Sequence, residues 1–302
     1  NYCALFGCVR EGFLLTAKMS TIGFIGVGTV GTALAVLFSR NGYAVTTVSS
    51  RSKTSAEKFV QRITGCQVAA NNQQAADHAD IIFITTPDDV IATIASEVNW
   101  RAGQSVVHCS GAASTDILEP ARKAGAQVGS MHPLQTLAGV EQAITNIPGT
   151  TFAIEAEEPL LTTLKGIAEA LGGTHIELKA SDKVLYHAAA VIACNYLVTL
   201  VKLATDLWQT FSVPPEQATR ALLPLIQGTL NNVANIGVPN CLTGPIARGD
   251  TGTIKKHIES LQKTAPEILP AYKELGRQTI PISLAKGKIN ARQAKELESI
   301  LA

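Results

Sequence analysis

Over the first 180 residues, short apolar runs rich in Val, Ile and Thr alternate with stretches whose apolar positions recur at helical spacing. This alternation is typical of a parallel β-sheet whose strands are joined by crossover helices. The pattern predicts strands at 21–25, 44–48, 67–69, 80–85, 105–108, 126–130, 151–154 and 175–178. It predicts helices at 30–40, 54–63, 89–97, 116–124 and 159–171.

After Lys179 the extended runs mostly disappear and long helical periods take over. We therefore expect an α/β domain over residues 19–180 and an all-helical domain over residues 181–302. No Pro- or Gly-rich linker separates the two, which favours closely packed domains. The helices of the second domain are predicted near 182–211, 215–235, 252–263, 266–279 and 291–300.

Residues 1–18 precede the first methionine, Met19, and the following letters, MSTIGFIGVG, have the form of a natural protein start. Arg10 and Glu11 split the early segment into two short apolar patches, whereas a signal peptide has one unbroken apolar region. We interpret residues 1–18 as a non-native or disordered extension. A targeting role is the less favoured alternative.

Composition narrows the class of protein. Hydrophobic residues make up 46% of the 302 residues and charged residues 16%, as in compact globular proteins. The net charge of +1 and the absence of a long Lys/Arg run argue against nucleic acid or an anionic membrane surface as a partner. The six cysteines are scattered without a C-x-x-C pair, so we predict no disulfide framework, no metal site, and a cytoplasmic location.

The segment DKVLYHAAAVIACNYLVTLVK, residues 182–202, is almost long and apolar enough to cross a bilayer. His187 and Asn195 inside it would be costly in lipid, and no second apolar segment of this length occurs. We therefore predict a buried helix at the centre of the all-helical domain rather than a membrane span.

The stretch GFIGVGTVGTALA places Gly26, Gly28 and Gly31 in a G-x-G-x-x-G pattern. The pattern follows a predicted strand and opens a predicted helix, which is the context expected of a dinucleotide-binding loop. Gly26 permits the tight turn, Gly28 lets a pyrophosphate approach the backbone, and Gly31 lets the helix pack close to the strand. The first helical N–H groups, at Thr29 and Val30, would then face the phosphates.

The end of the second strand indicates which dinucleotide binds. An NAD site has Asp or Glu there to accept a hydrogen bond from the ribose 2′-hydroxyl. This chain has VSSRSKTS, which offers Ser50, Arg51 and Ser52 but no acid. Because hydroxyls and a guanidinium suit a 2′-phosphate, NADPH is the predicted cofactor. For Arg51 a solvated loop charge is the alternative.

Two further loops leave the carboxyl ends of strands, where open α/β sheets bind ligands. Thr86 and Pro87 follow the fourth strand and could line the nicotinamide ribose. Ser110, in HCSGAAS after the fifth strand, is a candidate substrate-binding residue. Both loops could instead be ordinary turns with helix N-caps such as Asp88 or Thr115.

Candidates for the chemistry follow. His132 precedes Pro133, which favours an extended backbone and holds the ring at a strand end. There it could donate to a carbonyl or exchange a proton, or it could have only a structural role.

Lys183 and His187 lie one helical turn apart and share a face. Lys183 could protonate or stabilise a developing alkoxide or amine. The alternatives are a solvent-exposed lysine and a satisfied core histidine, and Asn195 is predicted to tie helices together.

The loop LTGPIARGDTGTIKKH, residues 242–257, crowds glycines, a proline and charges before a helix. A helix start fed by such a loop can bind an anion, and Arg248 with the backbone near Thr243 could grip a carboxylate. The alternative is a capping loop with an internal Arg248–Asp250 pair.

Five motifs together carry a family resemblance: GFIGVGTVG, HCSGAAS, GSMHPLQT, DKVLYHAAAVIACNYL and LTGPIARGD. From Met19 onward the chain resembles short NADP-dependent oxidoreductases that combine a Rossmann-like domain with a DUF2520 domain, within the 6-phosphogluconate dehydrogenase C-terminal-like superfamily. The resemblance implies a Rossmann-type, mostly parallel sheet with helices on both faces, followed by an all-α domain. It also implies a homodimer formed through the helical domain.

More distant families inform single positions. The HPLQT loop is similar to the His-Pro loop of prephenate dehydrogenases, whose His contacts the substrate hydroxyl. The loop around Thr243 and Arg248 resembles the carboxylate-binding loop of pyrroline-5-carboxylate reductases. Lys183 falls where β-hydroxyacid dehydrogenases place a catalytic Lys, but the Asn expected four residues later is His187 here, which puts the Lys mechanism in doubt.

The sequence thus predicts an NADPH-dependent reductase of a small carbonyl or imine that carries a carboxylate. Lys183 would donate the proton or stabilise charge, with His187 and His132 as polar partners and Ser110, Thr243 and Arg248 at the substrate. Two alternatives stay open: a non-catalytic NADP-binding sensor or scaffold, and a dehydrogenase of a prephenate-like compound or hydroxy acid.

Overall fold

The computed structural model describes residues 20–302, so the predicted extension at 1–18 lies outside the described residues. The chain separates into two compact units, and the division falls between Cys194 and Asn195. The boundary predicted near residue 180 is earlier, because the segment from Lys183 to His187 packs on the sheet of the first unit. Each unit is described separately.

All eight predicted strands form, and their ends shift by at most three residues. The strands are β1 Thr21–Ile25, β2 Ala44–Ser49, β3 Gln67–Val68, β4 Ile81–Ile84, β5 Ser105–His108, β6 Gln127–Pro133, β7 Thr151–Ala156 and β8 Thr174–Glu177.

The strands form one sheet in the order β3-β2-β1-β4-β5-β6-β7-β8. The first six run parallel, β7 pairs antiparallel with β6, and β8 runs parallel to β7. The mostly parallel sheet confirms the predicted fold class. Because β1 lies beside both β2 and β4, the strand order reverses there, and the carboxyl ends of these strands border the crevice where such sheets bind ligands.

Eight α-helices belong to the described part of the first unit. Those at 72–77 and 140–146 were not predicted, since each spans about two turns or fewer and shows no helical period. The predicted helix at 116–124 begins instead as a 3₁₀ turn, Thr115–Leu118. The helices are α1 Thr29–Arg40, α2 Lys53–Val60, α3 Asn72–Asp77, α4 Asp88–Glu97, α5 Glu119–Lys123, α6 Val140–Asn146, α7 Leu160–Ala170 and α8 Lys183–Ala190.

Both faces of the sheet are covered by apolar side chains. On one face Phe24 lies 5.5 Å from Phe83 and 5.9 Å from Phe38 between ring centroids, next to α1. On the other face Ile82 and Val106 pack with the apolar sides of α4 and α5. Strands buried on both faces explain the continuous apolar runs of the first half.

The second unit is all-helical, as predicted. Its helices enclose two small apolar clusters, one around Ile254 and Leu297 and one around Leu261 and Ile268. Asn290 caps the last helix with a reciprocal bond to Gln293, which fixes its start. The helices are α9 Tyr196–Gln209, α10 Pro215–Ile236, α11 Thr251–Thr264, α12 Leu269–Ala285 and α13 Ala291–Leu301.

The apolar helical segment 180–209 is the described stretch that is long and apolar enough to cross a membrane by length and composition. A π-turn, Val191–Asn195, interrupts it between α8 and α9. The prediction of a buried central helix is wrong for the single chain, because Val198 is 69% exposed and no large part of the segment is enclosed. Asn195 is also exposed, and its side chain makes no hydrogen bond to another described residue, so the predicted helix tie is not formed within the chain.

Candidate functional site

The glycine loop between β1 and α1 is shaped by close contact with the end of β4. Gly26 has φ +107°, and a Cβ there would lie 2.9 Å from the backbone of Thr85 and Thr86. A Cβ on Gly31 would overlap the Thr85 hydroxyl, which itself donates to Gly26 O at 2.9 Å. These contacts require glycine at both positions, as the motif predicts.

Gly28 differs from its neighbours because a Cβ there would meet only Thr85 O, at 3.9 Å. It is the N-cap of α1 and carries no capping side chain, so the first helical N–H groups, at Thr29 and Val30, have no side-chain cap. Open space in front of a bare helix start is the arrangement that accepts a pyrophosphate.

A cavity of about 660 Å³ runs from this loop along the ends of β2 and β4. We call its walls the nucleotide cradle: the Gly26–Gly31 loop, residues 49–52 and residues 85–87. Pro87 occupies the N-cap position of α4, and the buried Thr86 hydroxyl has no hydrogen-bond partner among the described residues. A buried hydroxyl without a partner is costly, so it marks a position where a ligand atom is expected.

The end of β2 offers polar donors to the cradle. Ser52 caps α2 by accepting hydrogen bonds from Ser55 N at 3.2 Å and Ser55 Oγ at 2.9 Å, and Ser50 Oγ accepts from Ser52 N at 3.2 Å. Arg51 is exposed and makes no hydrogen bond to a described residue. The acid among the residues lining the cavity is Glu97, at the far end of α4 rather than on the β2 loop.

The loop after β5 is held by the hydroxyl and backbone of Ser110. Its hydroxyl donates to Asp88 Oδ2 at 2.6 Å and accepts from Ala112 N and Ala113 N. Its N–H donates to His108 Nδ1 at 3.2 Å. The predicted alternative of simple N-caps is wrong in detail: Asp88 is the first residue of α4 and bonds Ser110, and Ser114 rather than Thr115 caps the next helical turn.

Lys183 is enclosed in this loop and in the sheet. It is 1% exposed, and its ammonium donates to Ser110 O at 3.2 Å and to Ser130 Oγ. Glu155 Oε2 lies 3.8 Å from the ammonium, and it also accepts hydrogen bonds from Thr115. Burial lowers the pKa of Lys183, and the nearby Glu155 carboxylate opposes that shift.

Three aromatic side chains converge beside the Ser110 loop, and with Gly111 we call them the imidazole cluster. His132 Nδ1 lies 2.8 Å from the Tyr186 hydroxyl, and the His132 and His187 ring centroids are 6.1 Å apart. A Cβ on Gly111 would lie 2.7 Å from His187 Nδ1 and 2.9 Å from His132 Nε2. His187 Nδ1 is buried and has no hydrogen-bond partner among the described residues.

Burial sets the protonation of the cluster. Desolvation, with the charges of His187 and Lys183, lowers the pKa of His132 to about 4. Desolvation raises the pKa of Tyr186 to about 12. At neutral pH the His132 ring and the Tyr186 hydroxyl are therefore both uncharged.

The predicted Thr243–Arg248 loop lies in the second unit. Thr243 and Arg248 are exposed and line a cavity of about 450 Å³ together with Lys286 and Lys288. The alternative Arg248–Asp250 ion pair does not form. Asp250 instead caps α11, and hydrogen bonds from Thr253 lower its pKa. The two lysines were not anticipated, because they lie about 40 residues further along the chain.

Sequence reasoning also missed Tyr186, Ser130 and Glu155. A signal was present for one of them, because Ser130 shares its face of β6 with His132, two residues on. Glu155 lies opposite Ser130 on β7, and only the strand pairing shows this. Tyr186 lies one residue before the predicted His187, and nothing in its spacing distinguishes it from an apolar helix residue. Among residues 20–302, no three His, Cys, Asp or Glu side chains are placed to hold a metal ion.

Solved structures share this fold. Protein TM1727 from Thermotoga maritima is 26% identical, with a TM-score of 0.72 and coverage of 87% of this chain and 99% of its own. BF3122 from Bacteroides fragilis, named as a candidate NADP oxidoreductase, is 24% identical, with a TM-score of 0.70 and coverage of 87% and 98%. A reductive aminase from Aspergillus terreus, in complex with NADPH and ethyl-5-oxohexanoate, is 16% identical, with a TM-score of 0.60 and coverage of 93% and 92%.

A sequence comparison with curated proteins found no match. Family profiles match both halves of the chain: a Rossmann-like domain over residues 9–133, and a domain of unknown function, DUF2520, over residues 150–279. These matches confirm the combination of domains that the motifs predict. The chain is therefore a two-domain protein in which a Rossmann-like domain is followed by a DUF2520 domain.

Proposed function

We propose that the protein is an NADPH-dependent oxidoreductase that reduces a small carbonyl or imine compound. The observation that carries this proposal is the nucleotide cradle, whose open side at Gly28 and unpartnered Thr86 hydroxyl fit a bound dinucleotide. Two similar structures, BF3122 and the reductive aminase, are named for NADP or contain NADPH, which supports the same cofactor class.

The cradle favours the phosphorylated cofactor. Arg51 and the hydroxyls of Ser50 and Ser52 would hold the 2′-phosphate, and the α1 N-terminus would hold the pyrophosphate. Thr86 and Pro87 would line the nicotinamide ribose. When bound, NADPH would supply a hydride; the chain's own residues orient the substrate and manage its proton.

We propose that the reaction takes place beside the Ser110 loop. The Ser110 hydroxyl donates to Asp88, the first residue of α4, which directly follows Pro87 of the cradle. His132 and His187 lie there, and we propose that they form the polar wall of the substrate site, while the buried Lys183 holds the Ser110 loop behind them. We further propose that the cationic cavity around Arg248 and Thr243 binds a carboxylate of the substrate, since Lys286 and Lys288 add positive charge to it.

A turnover assay tests this function. NADPH oxidation at 340 nm is followed with ethyl 5-oxohexanoate as the ketone, and with 1-pyrroline and 1-pyrroline-5-carboxylate as imines. Reduction of either class, with the carboxylated imine preferred, is the expected result. An Arg248→Ala variant should lose that preference but keep its rate on 1-pyrroline.

A different outcome would favour the sensor or scaffold alternative. If NADPH binds tightly in a calorimetric titration but none of the three compounds is reduced, the reductase proposal is wrong for these substrate classes. If instead NADP⁺ is reduced by a hydroxy acid, the dehydrogenase alternative is correct.

We also propose a homodimer through the helical unit. Packed helices α9 and α10 leave eight large apolar side chains exposed, which is more than a single chain in water normally presents: Tyr196, Val198, Leu200, Leu223, Leu225, Leu230, Val233 and Ile236. Hydrogen-bonded polar pairs such as Lys202–Asp206 and Gln227–Asn231 occur on the same helices as these apolar side chains. Such polar groups suit a protein partner better than lipid.

Light scattering on a sizing column measures this state. The wild type should elute as a dimer, and Leu225→Glu should shift it towards the monomer with NADPH binding retained. A monomeric wild type, or association only with lipid vesicles, would contradict the second copy.

A further inference from the structure

The position of Lys183 makes it a poor proton donor. Its ammonium is enclosed and its donors are directed at Ser110 O, at Ser130 Oγ and towards Glu155. A side chain that is 1% exposed and engaged in this way cannot reach a substrate without breaking the bonds that hold the loop. Lys183 is therefore placed to hold the Ser110–Gly111 backbone against the sheet.

The Gly111 contact indicates where the His132 ring carries its proton. His132 Nε2 faces the Gly111 Cα, and no described oxygen accepts a hydrogen bond from it. On the other side of the ring, Nδ1 lies 2.8 Å from the Tyr186 oxygen. A neutral imidazole has one N–H, and placing it on Nδ1 gives it the Tyr186 oxygen as acceptor, whereas the Nε2–H tautomer would make Tyr186 the donor.

If His132 Nδ1–H donates to Tyr186, the hydroxyl hydrogen of Tyr186 is free to point elsewhere. Tyr186 is partly exposed, and its oxygen has no other hydrogen bond among the described residues. Tyr186 thus presents an O–H donor whose oxygen already accepts a hydrogen bond from the His132 N–H. This is the arrangement of a group that releases a proton and must then carry negative charge.

We propose that Tyr186 donates the proton in the reduction, and that His132 and Lys183 are positioning residues. The inference rests on the proposed function. Bound NADPH would supply the hydride, with its electron pair, to the substrate carbon. The substrate oxygen or nitrogen then takes the proton as the Tyr186 O–H bond breaks. The resulting tyrosinate accepts the His132 N–H bond and regains a proton from solvent.

The first test measures the tautomer of the His132 ring directly and needs no substrate. In ¹⁵N-histidine-labelled protein with NADPH bound, the His132 signal is assigned by its loss in His132→Asn. The expected spectrum at pH 7 shows the Nδ1–H tautomer, with an Nδ1 shift that moves in Tyr186→Phe. The Nε2–H tautomer would overturn the proposal, because Tyr186 would then have to donate its proton to the ring.

The second test measures turnover of ethyl 5-oxohexanoate. Tyr186→Phe should lower kcat by about 10²- to 10⁴-fold, with KM changed by no more than about threefold, the usual range for losing a general acid. A Tyr186→Phe enzyme within about threefold of the wild-type kcat would overturn the donor role.

Lys183→Met separates positioning from proton donation. A positioning role predicts that kcat falls and that the His132 tautomer signal is altered as well. A donor role for Lys183 predicts a fall in kcat with the His132 signal unchanged, and would overturn the proposal. Ser130→Ala, which removes one partner of the ammonium, should reproduce a weaker form of both changes if Lys183→Met does not fold.

The proposed function and the donor role of Tyr186 are contradicted by different results. If no carbonyl or imine is reduced, the proposed function is wrong and the donor role falls with it, whatever the tautomer. If turnover is present but Tyr186→Phe leaves it intact, the proposed function stands and only the assignment of Tyr186 is wrong.

Discussion

The nucleotide cradle and the imidazole cluster lie at the same edge of one sheet, but they are built differently. The cradle depends mainly on backbone, because Gly26 and Gly31 of the glycine loop fit closely against Thr85. The cluster depends on side chains from β6 and α8 that are far apart in sequence and meet at Gly111, in the loop after β5. The cradle is therefore specified largely by a short local motif, whereas the cluster is specified by tertiary packing.

Gly31→Ala should break the cradle most severely. Its Cβ would overlap the Thr85 hydroxyl and approach Gly26 O at 2.8 Å, and that backbone cannot yield without reshaping the loop. Overpacking of this kind costs about 1 to 3 kcal/mol of folding free energy, so the Tm should fall. Because the loop that faces the pyrophosphate must also be reshaped, we expect NADPH affinity to fall by about 100-fold.

Gly28→Ala is the matched control. Its Cβ meets open space, so the Tm should stay near the wild-type value while NADPH affinity falls through a clash with the pyrophosphate. Calorimetry and thermal unfolding measure both quantities. Equal losses of Tm in the two variants would contradict the distinction between packing and ligand space.

Acid should weaken the cluster side of the sheet. His108 is fully buried, and desolvation with the nearby Lys183 charge lowers its pKa to about 3. The unfolded chain binds a proton below its ordinary pKa of about 6.5, but the folded chain does not until about pH 3. The free energy of unfolding should therefore fall as pH drops below 6.5, by about 1.4 kcal/mol per pH unit from this group.

Urea unfolding at pH 7, 6 and 5 measures that slope. His132, whose pKa is lowered to about 4, adds to it in the same direction. His108→Gln should be less stable at pH 7 but should show a smaller loss on acidification. An unchanged slope in His108→Gln would show that this ring is not the titrating group.

Gly111→Ala should damage the cluster and spare the cradle. The added Cβ would displace the His187 and His132 rings, side chains that can shift by a few tenths of an ångström, so the cost in stability is about 1 to 3 kcal/mol. NADPH affinity should stay within about threefold of wild type while the His132 resonances move. Loss of NADPH binding as large as in Gly31→Ala would show that the two regions are one structure.

Arg51→Ala tests the smallest feature of the cradle. Because charge-assisted hydrogen bonds contribute about 1.5 to 3 kcal/mol, NADPH affinity should fall by about 10- to 100-fold and NADH affinity by much less. Parallel titrations with the two cofactors measure the difference. Equal losses would remove the argument for the 2′-phosphate, and Lys53→Ala, at the first residue of α2, serves as the charge control.

The strands and long helices could be predicted because their apolar periods are local in the sequence. The short helices at 72–77 and 140–146 could not, since about two turns carry no readable period. Gly26 and Gly31 were predicted for the contacts that they make. Lys183 was predicted to share a face with His187, and both do approach the Ser110 loop; the sheet side chains that enclose Lys183 could not be inferred without the strand pairing.

The apolar segment 180–209 shows a second limit of prediction from the sequence. Its composition predicted burial, yet Val198 is 69% exposed in the chain. Hydrophobicity indicates that a surface leaves water but does not say which molecule covers it. Tyr186 illustrates the same limit for a single residue. A tyrosine in an apolar helix is expected to be a packing residue, and only the structure shows its oxygen beside His132.

The buried contact between Lys183 and Glu155 has a consequence for how this sequence can change over generations. Lys183 is 1% exposed and Glu155 12%, so removing either charge alone leaves the other buried without a counter-charge, at about 3 to 5 kcal/mol. Replacing both with apolar residues of similar volume avoids that cost. The two positions, 28 residues apart, are therefore energetically coupled. A substitution that removes one charge is expected to be followed by loss of the other charge or by reversion.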